Sequence, residues 1–238
     1  MKPEDLVGKL QQALGTGIRS VILYGSAAAG DHVGKRSDYN VLVVAEKLGV
    51  GELMKLSTTA LAWRKAGNPP PLLFTLDRLQ RSADVFPIEL LDIKESHRIL
   101  HGQDVLDQVE VHPENVRLVL ERELKSNLIR LRDGFLFTQG KSEKVLDLMI
   151  DSLSTFLVLF RAGLRLYQDD VPPLKMDAMH AFSERVRFDP GVFVTVEQLK
   201  EGKRGVKDVN AVALFETYLR TVESVVDAVD QHIHSTGS

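Results

Sequence analysis

The chain has 238 residues, of which 44% are hydrophobic and 26% charged, a composition typical of folded soluble domains that excludes wholesale disorder. Its 30 basic and 33 acidic side chains give a formal net charge of -3, so no global positive field favours nucleic acid or an anionic membrane. Because the chain has no cysteine, disulfides, thiol nucleophiles and sulfur-based zinc sites are excluded as well.

The amino terminus carries acidic residues and an amphipathic rhythm, whereas a signal peptide would begin with basic residues and continue into an apolar run. No apolar stretch approaches the roughly 20 residues that a helix needs to cross a bilayer. We therefore expect a cytoplasmic protein without a membrane partner, and nucleic acid is not an expected partner either.

Helix and strand patterns alternate through the amino-terminal half. Leucines at four-residue spacing predict a first helix over 6–14, and the apolar runs 20–24 and 38–44 predict two buried strands. A helix over 48–66 follows and ends at a glycine and a run of prolines. The remaining elements predicted in this half are a strand at 72–74, a short helix at 76–83 and a last strand near 99–100.

Apolar side chains recur every three or four residues through most of the carboxy-terminal half, which predicts several one-faced helices. The cleanest stripe runs from Val212 to Ile233. Such helices bury their apolar faces by packing on one another, so we predict an antiparallel helical bundle. The predicted fold is an α+β amino-terminal domain with a mixed sheet over 1–108, followed by an all-α helical bundle domain over 109–238.

The most informative segment of the chain is 21–44, which contains a strand, Gly25-Ser26, a polar spacer and a second strand opened by Asp38. Gly25 lets the backbone turn tightly and lets a ligand approach closely, and Ser26 falls where a helix presents unpaired N–H groups. This is a phosphate-binding geometry. On the second strand, Asp38 and Asn40 project from the same face about 7 Å apart.

The segment resembles the nucleotidyltransferase superfamily of the DNA polymerase beta type, including its minimal and kanamycin-type members, over roughly residues 18–105. The residues that match its signature are Gly25-Ser26, the spacer through Ser37 and Asp38-Tyr39-Asn40. The resemblance implies an α+β nucleotidyltransferase domain, and many members also carry a helical partner domain. It further implies transfer of a nucleoside monophosphate from a nucleoside triphosphate, with ATP expected, to a hydroxyl acceptor that the sequence does not identify.

The resemblance also implies a divalent cofactor, Mg²⁺ or Mn²⁺, wherever nucleotide binding is retained. Gly25, Ser26 and Ser37 would then bind the nucleotide, and Asp38 would be the catalytic carboxylate that holds the metal. Asn40 stands where the family has its second carboxylate. An amide offers only a neutral carbonyl oxygen to the ions, so Asn40 would assist as a neutral ligand and the site has lost one negative charge.

The third carboxylate of the family lies on a later strand, and two alignments are open. In the favoured alignment Leu72 takes its position, and leucine cannot ligate magnesium. In the other, 86–93 is the third strand, which would bring Glu89, as catalytic base, or Asp92 to the site. Two functions follow: an active transferase, or a catalytically impaired relative that binds a nucleotide or acts as an interaction module, for example as a homodimer through its helical domain.

Overall fold

The two apolar runs at the start of the chain form neighbouring antiparallel strands, β1 (Ile18–Tyr24) and β2 (Asn40–Ala45). β3 (Leu72–Thr75) pairs with β2 in parallel, and β4 (His97–Gly102) pairs with β1 antiparallel. Within the described residues these strands form one sheet in the order β3-β2-β1-β4. The predicted mixed sheet is confirmed, since it combines one parallel and two antiparallel pairings.

The computed structural model describes residues 1–29, 38–168 and 170–236. The chain divides into two units, Met1–Asn115 and Val116–Ser238. The predicted domain boundary, after residue 108, lies before this division. That either part folds independently stays a prediction.

Helices cover both faces of the sheet in the first unit, which explains why its central strands are almost continuously apolar. One face packs on the helices that contain Leu10 and Trp63, and the other packs on the helices that contain Leu79 and Ile93. The helices of this unit are α1 (Pro3–Leu14), α2 (Ser26–Ala29), α3 (Val50–Lys65), α4 (Leu76–Arg81) and α5 (Pro87–Glu95).

The second half of the chain is helical throughout its regular elements, as the apolar stripes predict. Its core is an aromatic cluster around Phe160, a fully buried residue whose ring contacts Phe156, Phe182 and Phe193. The helices are α6 (Pro113–Thr138), α7 (Ser142–Leu164), α8 (Lys175–Val186), α9 (Gly191–Lys200) and α10 (Ala211–Thr236). Among the helices of the described residues, none combines the length and the apolarity needed to cross a membrane.

Ion pairs join α6 to α10 at the surface of this unit. Lys125 Nζ lies 2.8 Å from Asp230 Oδ1 and 2.6 Å from Glu121 Oε1, and these two bonds raise the pKa of Lys125. Arg132 likewise binds Glu223 at 2.7 Å. Lys125 and Arg132 of α6 are therefore paired with acids on a solvated face, where such pairs contribute little to stability.

Candidate functional site

One transverse row of side chains lies at the end of the sheet where β1 stops. Tyr24, the last residue of β1, pairs with Asn40 of β2 on one side and with His97 of β4 on the other. Because cross-strand partners project from the same face, these three side chains lie next to one another. Burial raises the pKa of Tyr24, so its phenol stays a neutral hydroxyl.

Gly25 follows this row and turns the chain from β1 into α2. Its φ of +77° lies in the left-handed region that favours glycine. Its N–H donates to the Ser96 carbonyl at 3.1 Å, and its own carbonyl accepts from the Ala28 N–H at 2.9 Å. A Cβ at this position would lie 3.4 Å from Nδ2 of Asn40. The Asn40 amide therefore lies directly against the Gly25 turn.

Asp38 and Asn40 differ in their surroundings. Asp38 is exposed ahead of β2, whereas Asn40 is half-buried as the first residue of the strand. Among the described residues, the Asn40 amide has no hydrogen-bond partner. The site thus presents one solvated carboxylate, Asp38, and beside the Gly25 turn one neutral amide, Asn40, which no other described residue engages.

Asn68 holds the start of β2 in place. Three consecutive prolines, 69–71, have no N–H to donate, so the β2–β3 ladder begins only at Leu72. The buried Asn68 side chain substitutes for that ladder, since its Oδ1 accepts from the Tyr39 N–H at 3.1 Å. Trp63 fixes the same segment by donating from Nε1 to the Pro69 carbonyl at 2.8 Å. Asp38 and Asn40 therefore flank a tethered residue.

The residue on β3 at the position discussed for the third carboxylate is apolar. Leu72 pairs with Leu42, which lies two residues beyond Asn40 on the same face of β2. The Leu72 side chain is 39% exposed, so it lies at the open edge of the sheet and not in the core. A leucine there supplies no ligand to a cation.

The alternative third strand at 86–93 is wrong, because this segment forms the helix α5. Pro87 occupies a first-turn position, where its fixed φ and missing N–H suit a helix start. Glu89 is exposed on α5 and Asp92 is half-buried there, so neither is a strand residue beside Asp38. The role of Glu89 as a catalytic base stays a prediction.

Two of the predicted nucleotide-binding residues are described incompletely or not at all. Ser37 lies outside the described residues, as does the rest of the spacer from residue 30. Ser26 begins α2 directly after Gly25, but its side chain is also outside the described part.

The residues present do not fit the pair of divalent ions that the resemblance implies. Asp38 contributes one carboxylate, whereas Asn40 and Leu72 contribute none. Within the described ranges, no group of three or more histidine, aspartate or glutamate side chains is placed to hold a metal ion. The donor set therefore lacks the anionic oxygens on which hard divalent cations depend.

His97, the third residue of the row, forms a hydrogen-bonded pair with Asp104 that the sequence does not reveal. His97 Nε2 lies 2.9 Å from Asp104 Oδ2, and His97 Nδ1 lies 2.9 Å from the Lys94 carbonyl. Asp104 also accepts from the Leu106 N–H at 3.0 Å, and Lys94 Nζ donates to the Val109 carbonyl at 2.8 Å. These bonds tie the chain after β4 back to α5 and hold His97 in the row.

We expect the contribution of Asp104 to stability to depend on pH. Partial burial alone would raise its pKa, but bonds from His97 and the Leu106 N–H, with the charges of His97 and Lys94, lower the pKa below 3.8 overall. A carboxyl whose pKa falls on folding stabilises the protein above its unfolded pKa and loses that contribution as the pH falls through the folded value.

Asp104→Asn should therefore lower the free energy of unfolding by about 1 kcal/mol at neutral pH. The difference from the wild type should shrink below about pH 4. Urea unfolding followed by the fluorescence of Trp63, the single buried tryptophan, measures it at neutral and acidic pH. An equal loss at both pH values would contradict this role of the ionised carboxylate.

The sheet order, the Gly25 turn and the position of Asp38 two residues ahead of β2 are those expected of a nucleotidyltransferase fold followed by a helical region. A solved structure with this fold is the spectinomycin adenyltransferase AAD(9) from Enterococcus faecialis, crystallised with ATP and spectinomycin. It matches with a TM-score of 0.57 and 13% sequence identity, over 96% of this chain and 98% of that chain. At this identity the likeness concerns the fold. No family model matches the sequence, and the comparison with curated proteins gives no significant match.

Proposed function

We propose that this protein is a nucleotide-binding member of the nucleotidyltransferase fold in which group transfer is impaired. The observation that carries the proposal is the contrast within one site. The Gly25 turn keeps the form that lets a phosphate approach the backbone, while Asn40 beside it and Leu72 on β3 lack the charges of a metal-ion pair.

Several features support phosphate binding at this turn. Gly25 has no side chain to block the approach, and α2 begins directly after it. The Asn40 amide and the Tyr24 hydroxyl are neutral donors in the adjoining row. The fold likeness to an adenyltransferase crystallised with ATP makes ATP the nucleotide to test first.

The impairment follows from the chemistry of two-metal transfer. In such sites paired cations stabilise both the attacking and the leaving oxygens, and carboxylates hold the cations in place. Here Asp38 is the one carboxylate of the β2 pair, so it alone would meet a Mg²⁺ or Mn²⁺ ion carried by the nucleotide. Because residues 40 and 72 are a neutral amide and a leucine, the protein supplies no further carboxylate from these positions to hold the two cations.

Calorimetric titration with ATP and with GTP, in the presence and absence of Mg²⁺ or Mn²⁺, tests the proposal. We expect ATP to bind the wild type, and Gly25→Ala to weaken that binding about tenfold or more, because the added methyl group meets Asn40 in a strained backbone. Gly140→Ala is the matched control, since Gly140 has a φ of +70° but no neighbour within 4 Å of the added methyl.

Absence of nucleotide binding under every condition would overturn the proposal, and so would equal effects of Gly25→Ala and Gly140→Ala. The variants are compared after thermal unfolding has shown that each is folded at the titration temperature. Both substitutions place alanine at a positive φ, and the one at Gly25 also adds a methyl group beside Asn40. Weaker ATP binding in Gly25→Ala alone therefore indicates a ligand at the Gly25 turn.

An active transferase is the second candidate. It is favoured by the retained Asp38 and by the fold likeness to an adenyltransferase over 96% of the chain. In that case Asp38 would hold the metal, Glu89 would be the expected base, and the acceptor would be a hydroxyl compound. Turnover by the wild type that disappears in Asp38→Ala would establish this candidate instead.

A homodimer through the helical domain also stays a proposal. Its contact surface would be the exposed apolar side chains of α6, which lie outside the core of their own unit. They are Leu118, Ile129, Leu136 and Phe137.

A further inference from the structure

We infer that the site takes its nucleoside phosphate in the metal-free form, with the Asn40 amide donating directly to a phosphate oxygen. The inference rests on the proposed nucleotide site and concerns the ionic form of the ligand. It follows because the residues of the site lack the carboxylates that the two cations implied by the fold family would need.

The exchange of a carboxylate for an amide reverses what the residue can offer a phosphate. An ionised aspartate is an acceptor only, and its charge repels a phosphate unless a cation lies between them. An asparagine has two N–H donors and no charge, so it binds a phosphate oxygen without an intervening ion. A hydrogen bond to an ionised oxygen is also stronger than one between neutral groups.

The geometry places that donor where a phosphate would lie. Nδ2 of Asn40 is the nearest atom to a Cβ built on Gly25, at 3.4 Å, so the amide nitrogen borders the turn itself. Asn40 is half-buried, and among the described residues nothing else engages its amide. A half-buried amide that no other described residue engages is available to a ligand.

The charges around this donor agree with a metal-free ligand. Tyr24, the neighbour of Asn40 in the row, is kept neutral by burial. Asp38 is exposed, so water and salt screen its repulsion of a phosphate. The described part of the chain offers no further acid close enough to form a three-ligand site with it.

The test is titration of ATP by calorimetry in EDTA and in excess Mg²⁺, with the wild type and Asn40→Asp. The dissociation constant of the wild type should differ by less than about threefold between the two buffers. Asn40→Asp should bind at least about tenfold more weakly than the wild type in EDTA, because a carboxylate replaces the donor, and Mg²⁺ should restore much of that loss.

Two controls separate charge from folding and from the loss of the donor. Asn40→Ala removes the donor without adding charge, so its binding should weaken equally in both buffers. Asn210→Asp makes the same chemical change at the start of α10, where the side chain accepts from the Ala213 N–H and an aspartate can do the same, so it should leave ATP binding unchanged.

Each outcome bears on a different statement. Wild-type binding that requires Mg²⁺ leaves the nucleotide site standing but overturns metal-free recognition. Failure of the wild type to bind ATP in either buffer overturns both. An Asn40→Asp variant that is folded by thermal unfolding and binds like the wild type in EDTA would also overturn the role of the amide.

Discussion

Gly102→Ala should lower the free energy of unfolding of the amino-terminal unit by about 3 kcal/mol or more. Gly102 ends β4 with a φ of +80°, and a Cβ there would overlap the carbonyl group of Arg19. That carbonyl cannot move away freely, because it accepts from the Gln103 N–H at 3.3 Å. The buried Ser20 hydroxyl donates to the Gln103 carbonyl at 2.7 Å and fixes the same pair of segments.

Gly67→Ala provides the matched control. Gly67 also has a positive φ, +91°, but no atom lies within 4 Å of a Cβ built on it. Its substitution should therefore show only the conformational cost of alanine in the left-handed region, about 1 kcal/mol. Urea unfolding monitored by Trp63 reports on the unit that contains both glycines. Equal losses in the two variants would contradict the steric explanation.

The central strands and the helical half could be predicted because an element that is buried along its whole length shows a regular arrangement of apolar residues in the sequence. β2 is apolar from Val41 to Ala45 because helices cover both of its faces, so the sequence shows an uninterrupted run. α10 shows a stripe at helical spacing because one of its faces packs on α7. In both elements the apolar pattern extends over several residues, so a single polar residue does not hide it.

Segment 86–93 could not be assigned in the same way. It is short, and its acids and apolar residues fit either a half-buried strand or a helix. The structure forms α5 because Pro87 begins a helix well and because Ile88, Leu90 and Ile93 are buried when the segment is helical. Because the segment is helical, Glu89 does not lie on a third strand of the sheet.

The positioning groups of the site were not predictable because they act across loops. Asn68 supports Tyr39 from 29 residues away, and Asp104 binds His97 across the end of β4. Neither contact produces a period or a motif. The run of prolines after Asn68 was the one sign of such a contact in the sequence. Three residues without an N–H cannot pair with β2 through the backbone, so another group has to bond to that strand.

Restoring two acids should give the protein metal-dependent turnover of ATP. In the double variant Asn40→Asp with Leu72→Glu, the new carboxylates would lie on one face of β2 and β3, because Leu72 pairs with Leu42 and Asn40 lies about 7 Å along the strand from Leu42. Asp38 precedes Asn40 by two residues, just ahead of the strand. Leu72 is partly exposed, so a glutamate there need not be buried. We expect hydrolysis of ATP to AMP and pyrophosphate, with water as the acceptor, in Mn²⁺ at a rate at least about tenfold above that of the wild type.

Asp38→Ala in the double variant is the decisive control, because it removes the native carboxylate and keeps both added acids. If three acids are needed to hold the ions, this change should return turnover to the wild-type level while the protein remains folded. Turnover that persists without Asp38 would mean that the added acids act elsewhere. A folded double variant that binds ATP and Mn²⁺ without turnover would show that charge loss at residues 40 and 72 does not explain the impairment.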